Sequence, residues 1–198
     1  MRSRFKIIVS ALALAGFQAY GIPNLVVNGS FETGNFSGWT LSGNTGGVAV
    51  SGGSYAESGI YGAGLGPYGS NGYLTQTIAT TIGDTYDITF WHAGYNVGPN
   101  DFTASFGGFV LFSYVNSTTQ PTTYTEYTFT EVATSLSSVF QFTFRDDFGF
   151  QKLDNVCVVD AKAASVPDSG PGVALTAVTL IGVCGISRKF RRQVRVKS

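Results

Sequence analysis

The chain has 198 residues, and its 12 basic and 12 acidic side chains give a formal net charge of zero at pH 7. The charges are unevenly placed: nine of the basic residues lie at the two ends, and all acidic residues lie between Glu32 and Asp168. The acidic middle argues against a nucleic-acid-binding protein, because phosphate recognition needs clustered Lys and Arg. The 26 glycines, together with abundant Thr, Ser, Tyr and Phe, predict short strands and tight turns rather than a helical bundle.

The N-terminal segment has the pattern of a secretory signal. Residues 1–21 combine three early basic residues, an apolar run and small residues before Gly21, so we expect a signal peptide cleaved near that glycine. The alternative is an uncleaved membrane anchor, although the apolar run is shorter than the roughly 20 residues that a spanning helix needs.

Residues 22–161 are predicted to form an antiparallel β-sandwich of eight or nine strands. Apolar and polar side chains alternate in short runs separated by Gly, Asn and Pro, which is typical of sheets with one buried face. The clearest runs are Gly72–Ala79, Tyr86–His92, Phe109–Val115, Tyr124–Glu131, Val139–Arg145 and Leu153–Val159.

The C-terminus has three consecutive parts. The first is a linker at 162–171, which contains a five-residue motif. The second is an uncharged stretch at 172–187, which is predicted to be a short transmembrane segment. The third is a basic tail at 188–198, which is expected on the cytoplasmic side. The motif consists of Val166, Pro167, Asp168, Ser169 and Gly170.

This order of motif, short span and basic tail resembles the VPDSG-CTERM variant of the PEP-CTERM sorting signal. The resemblance implies a bacterial protein that is secreted, transiently held in the membrane and delivered to the cell surface or extracellular matrix by an exosortase, its expected partner. The alternative is a plain C-terminal membrane anchor without processing.

The middle of the chain resembles the jelly-roll domains of carbohydrate-binding modules and galactose-binding-like proteins. The likeness rests on an opening NGSFE segment at 28–32 and a closing LDNV strand at 153–156. The resulting fold class is all-β: an antiparallel jelly-roll β-sandwich with an N-terminal signal helix and a short C-terminal transmembrane helix.

The same resemblance implies a structural calcium ion held by Glu32 and Asp154, with carbonyl groups of Ser58–Gly59 as further ligands. Ca²⁺ favours hard oxygen ligands from separate chain segments. The alternative is that both carboxylates accept hydrogen bonds from nearby backbone N–H groups. No other cofactor is expected, since one histidine and two cysteines without a CxxC motif do not suit a structural zinc site.

A glycan-binding face is predicted from side chains that alternate away from the core. If their strands are neighbours, an indole, an amide, a hydroxyl and a guanidinium would share one surface suited to a sugar; they belong to Trp91, Gln141, Thr143 and Arg145. The alternative for Trp91 is packing beneath a covering loop. His92 is interpreted as a half-buried, hydrogen-bonded histidine rather than a general base, and Trp39 as a core residue.

We therefore expect a secreted, non-catalytic surface or extracellular-matrix protein with a structural or adhesive role and a capacity for glycan binding. Extracellular polysaccharide is the expected ligand and nucleic acid is not. The alternatives are a small surface polysaccharide hydrolase, for which the sequence selects no carboxylate pair, and a matrix protein that binds no sugar.

Overall fold

A computed structural model of the protein describes residues 22–164. The predicted signal peptide, sorting motif, transmembrane segment and basic tail lie outside these residues. The described residues form ten strands: β1 (Thr40–Gly43), β2 (Val48–Gly52), β3 (Tyr61–Leu65), β4 (Gly72–Ala79), β5 (Thr85–Ala93), β6 (Asn100–Phe106), β7 (Phe109–Val115), β8 (Thr125–Val132), β9 (Ser137–Asp146) and β10 (Gln151–Asp160).

The strands form two five-stranded sheets in which every pairing is antiparallel. Sheet A has the order β1-β4-β9-β6-β7, and sheet B has the order β2-β3-β10-β5-β8. Apart from a 3₁₀ turn at Gly53–Tyr55 and a single helical turn at Ala161–Ala164, the described residues contain no helix. Within 22–164, then, no helix has the length and apolar character needed to cross a membrane.

Phenylalanine rings fill the space between the two sheets. Phe140, Phe142 and Phe144 alternate along β9 and are fully buried. The ring of Phe142 meets that of Phe90, on β5 of the other sheet, edge to face with a centroid distance of 5.4 Å. The predicted β-sandwich is confirmed, and Trp39 is a core residue as expected, with 8% of its surface exposed.

The opening NGSFE segment is not a strand: it lies within a series of turns at residues 25–38. Hydrogen bonds nevertheless fasten it to the last strand: Asn24 Nδ2 donates to the Val156 carbonyl at 3.0 Å, and Val156 N donates to the Gly29 carbonyl at 2.8 Å. A Cβ atom at Gly29 would lie 2.0 Å from the Val156 carbonyl oxygen. Only glycine allows this close approach of the two backbones.

Candidate functional site

The structure separates the four side chains predicted to form one glycan-binding face. Gln141, Thr143 and Arg145 lie on β9 and point outward from sheet A. Trp91 lies on β5 and points outward from sheet B, where it is half-buried. The condition for a shared face, that β5 and β9 are neighbours, is not met, so Trp91 and the other three occupy opposite sides of the sandwich.

The central strands of sheet A build a continuous polar surface around the three β9 residues. Thr143 has Tyr73 of β4 on one side and Thr103 of β6 on the other, and Gln141 lies between Thr75 and Ser105 in the same way. These side chains are half-buried. We call this surface the polar face, and it consists of Tyr73, Thr75, Asp101, Thr103, Ser105, Gln141, Thr143 and Arg145.

The guanidinium of Arg145 is held in place at one end of the polar face. Its Nε donates to Asp147 Oδ1 at 2.8 Å and its Nη2 donates to Oδ2 at 2.7 Å. The Gly69 N–H also donates to Oδ1 at 2.9 Å. These donors, with Arg145 foremost, lower the pKa of Asp147 to about 2. The bidentate pair fixes the plane of the guanidinium, and Nη1 takes no part in it.

A second carboxylate lies beside Arg145 on the neighbouring strand. Asp101 is the register partner of Arg145 on β6. Asn71 Nδ2 donates to its Oδ2 at 2.9 Å, and Thr103 Oγ1 donates to its Oδ1 at 3.2 Å. Partial burial raises the pKa of Asp101 against the opposing effect of these hydrogen bonds. The polar face therefore presents oriented donors and acceptors rather than mobile side chains.

The aromatic ring of the polar face is a tyrosine rather than the predicted tryptophan. Tyr73 follows Gly72 at the start of β4, and its ring lies against Gly43 of β1, where a Cβ would approach Tyr73 Cδ2 to 2.7 Å. Gly43 also has a φ of +69°, a conformation that glycine adopts without strain.

Several residues of the polar face were not predicted from the sequence. Tyr73 and Thr75 alternate with the buried Leu74, so the alternation of apolar and polar residues in β4 indicates that both side chains point outward. Asp101 and Thr103 carry the same signal in β6. No local pattern, however, states that β4 and β6 flank β9.

The two carboxylates predicted to bind calcium converge on one segment of the chain. Asp154 Oδ2 accepts hydrogen bonds from the N–H groups of Glu57 and Ser58, at 2.8 and 3.3 Å. Glu32 Oε1 accepts from the N–H groups of Ile60 and Tyr61, each at 3.0 Å. The described geometry thus corresponds to the alternative in which both carboxylates bind backbone N–H groups.

The environment of Asp154 nevertheless disfavours the charged form of its carboxylate. Asp154 is fully buried, and burial raises its pKa to about 7 despite three backbone hydrogen bonds, with neighbouring Glu57 adding to the rise. Asn155 Nδ2 donates to Glu57 Oε2 at 2.9 Å, which keeps that carboxylate close. Among residues 22–164, no group of three or more His, Cys, Asp and Glu side chains is arranged around a common point. A metal here would need backbone carbonyl ligands in addition to Glu32 and Asp154.

The only histidine belongs to the core. His92 is fully buried, its ring stacks on Phe102 with centroids 3.8 Å apart, and its Nε2 lies 2.8 Å from Gln151 Oε1. Burial lowers the pKa of His92 to about 4. The prediction of a hydrogen-bonded histidine is confirmed, and the burial is deeper than expected.

Solved structures with the same architecture include carbohydrate-binding modules. TmCBM61, solved in complex with β-1,4-galactotriose, matches with a TM-score of 0.58 and 18% identity over 70% of this chain and 99% of that chain. The enzymatically active domain of tailspike protein 4 from bacteriophage CBA120 matches with a TM-score of 0.51 and 22% identity, over 69% of this chain but 21% of that chain.

A looser match is the CBM22-1 xylan-binding domain of Paenibacillus barcinonensis Xyn10C, with a TM-score of 0.47 and 14% identity over 66% of this chain and 90% of that chain. No protein-family model matches the chain, and no curated protein matches it in sequence. At these identities the likeness shows the fold alone. The described residues therefore form a jelly-roll β-sandwich similar to that of carbohydrate-binding modules.

Proposed function

We propose that the protein is a non-catalytic carbohydrate-binding protein and that the polar face of sheet A contacts the glycan. The observation that carries the proposal is that Arg145, held by Asp147, lies on one strand with Gln141 and Thr143, and that Tyr73 is the register partner of Thr143. An aromatic ring can pack on the apolar side of a sugar, while oriented amide, hydroxyl and guanidinium groups bind its hydroxyls. The fold, which is similar to that of TmCBM61, is compatible with this use.

The hydrogen bonds of the polar face favour binding over hydrolysis. A glycosidase needs one carboxyl group that can deliver a proton and a second that activates water or attacks the sugar. Asp147 has both oxygens engaged by Arg145, and Asp101 has both engaged by Asn71 and Thr103. Both carboxylates therefore serve to hold the side chains that donate hydrogen bonds to them. This argument supports the non-catalytic role over the alternative of a small surface hydrolase.

Glycan binding is tested by substitution on the two opposite faces. We expect Gln141→Ala and Tyr73→Ala to weaken binding to a panel that includes β-1,4-galactotriose and xylohexaose by about tenfold each, as for central residues of an interface. Trp91→Ala, on the other side of the sandwich, should leave the affinity unchanged. Titration calorimetry measures the affinities, and thermal melting checks that each variant folds.

Binding that is lost in Trp91→Ala but retained in both sheet A variants would contradict the proposed face. Release of reducing sugar from any bound glycan would contradict the non-catalytic role.

We further propose that the protein is exported and sorted to the bacterial surface or extracellular matrix by an exosortase. The support is the sequence order of Val166–Gly170, the uncharged stretch and the basic tail. The intact mass and location of the mature protein in its native host test this, with and without the motif. Motif-dependent loss of the tail is expected, whereas an intact tail held in the membrane would indicate a plain anchored domain.

We also propose that Glu32 and Asp154 bind a structural calcium ion. The support is the fully buried Asp154 carboxylate, which has no basic partner among the described residues. Saturating Ca²⁺ should raise the free energy of unfolding by about 2–3 kcal/mol if its concentration is 100 times the dissociation constant.

Asp154→Asn should abolish this stabilisation, and Glu126→Gln, on the exposed side of β8, serves as the control that should retain it. Thermal melting with Ca²⁺ and with a chelator gives the comparison. Identical melting curves for the unsubstituted protein under both conditions would remove the calcium proposal.

A further inference from the structure

The outer face of sheet B carries a groove of about 290 Å³ that the proposed function does not use. Its floor is made of small residues, Ala49 and Ser51 on the edge strand β2 and Gly64 on the neighbouring strand β3. Tyr55 and Phe150 form its wall. Ala49 and Gly64 are register partners, so the floor is a continuous piece of sheet without large side chains.

Because Gly64 and Gly66 have no side chains, the rings of Tyr55 and Phe150 pack directly against the backbone. A Cβ at Gly64 would lie 2.6 Å from Tyr55 Cε1, and a Cβ at Gly66 would lie 2.7 Å from Phe150 Cδ1. The rings of Tyr55 and Phe150 meet edge to face at 5.6 Å, and Lys152 Nζ lies 5.5 Å from the centre of the Tyr55 ring. These contacts hold the wall in one arrangement, although 38% of the Phe150 surface stays exposed.

The size and the chemistry of the groove select a small ligand with one apolar side. Its volume is just below the roughly 300–1,000 Å³ of pockets that take drug-sized molecules, which leaves room for one sugar ring. The ring of Phe150 offers an apolar surface, and the hydroxyl of Ser51 and the ammonium of Lys152 are polar groups nearby. We propose that this groove is a second carbohydrate site, which takes a single pyranose ring stacked on Phe150.

A second site in this position would make each domain bivalent. The polar face and the groove belong to different sheets, and their side chains point away from the core in opposite directions. One domain could then hold two polysaccharide chains at once, which raises the avidity for a dense matrix without any new contact. The bivalency, but not the groove site itself, rests on the proposed function of the polar face.

The test uses methyl β-D-galactopyranoside, methyl β-D-glucopyranoside and methyl β-D-xylopyranoside as probes at millimolar concentration, with saturation-transfer NMR on the purified protein. In a Gln141→Ala background, which removes the contribution of the polar face, Phe150→Ala should reduce the remaining signal by about tenfold, as expected for an aromatic anchor. Phe148→Ala is the matched control, because Phe148 lies in the same turn, is 61% exposed and does not line the groove.

Ala49→Phe provides a second variant that keeps the wall and fills the groove from its exposed floor position; it should reduce the signal to the same extent. A signal that both variants leave unchanged, or no signal with any of the three probes, overturns the second site. If Gln141→Ala alone abolishes the signal, the groove is overturned and the polar face is supported. If only the groove variants abolish it, the groove is supported, and the polar face is decided by its own titration with β-1,4-galactotriose and xylohexaose.

Discussion

The alternation of side chains along β9 is the constraint on which the polar face depends. Phe140, Phe142 and Phe144 are buried between the sheets, so Gln141, Thr143 and Arg145 must point outward. A shift of one residue in the pairing of β9 would exchange the two sets and place an arginine in the core. The edge-to-face contact of Phe142 with Phe90 joins this strand to the opposite sheet. The packing of the core therefore also fixes the orientation of the proposed ligand-binding groups.

Preorganisation distinguishes the polar face from an ordinary hydrophilic surface. Arg145 is held by both oxygens of Asp147, which is itself anchored by the Gly69 N–H. Asp101 is held from two sides in the same way. Side chains that are already fixed lose little conformational entropy when a ligand binds, so weak individual contacts with sugar hydroxyls can contribute to affinity. The same hydrogen bonds occupy the oxygens of both carboxylates, which supports the proposed non-catalytic role.

The alternation of apolar and polar residues predicts where most strands lie, but it does not predict which strands pair with each other. β4 and β7 match the predicted runs residue for residue, and the ends of β5, β8, β9 and β10 differ by one or two residues. The missed strands include β1 and β2, which have four and five residues, too few to display a period. Alternation indicates which side of a strand is buried, but long-range pairing determines to which of the two sheets the strand belongs. For this reason the sequence indicates that Trp91 and Arg145 both face outward, but it does not reveal that their strands belong to different sheets.

Mapping a bound glycan onto the backbone amides of ¹⁵N-labelled protein tests the central claim most directly. The glycan with the highest affinity in the panel is titrated, and shifts of the amide resonances identify the contact surface. The account predicts that the largest shifts lie on β4, β6 and β9, around Tyr73, Thr103 and Thr143. Shifts confined to β5 and β8 of sheet B would contradict it, because those strands form the opposite side of the sandwich.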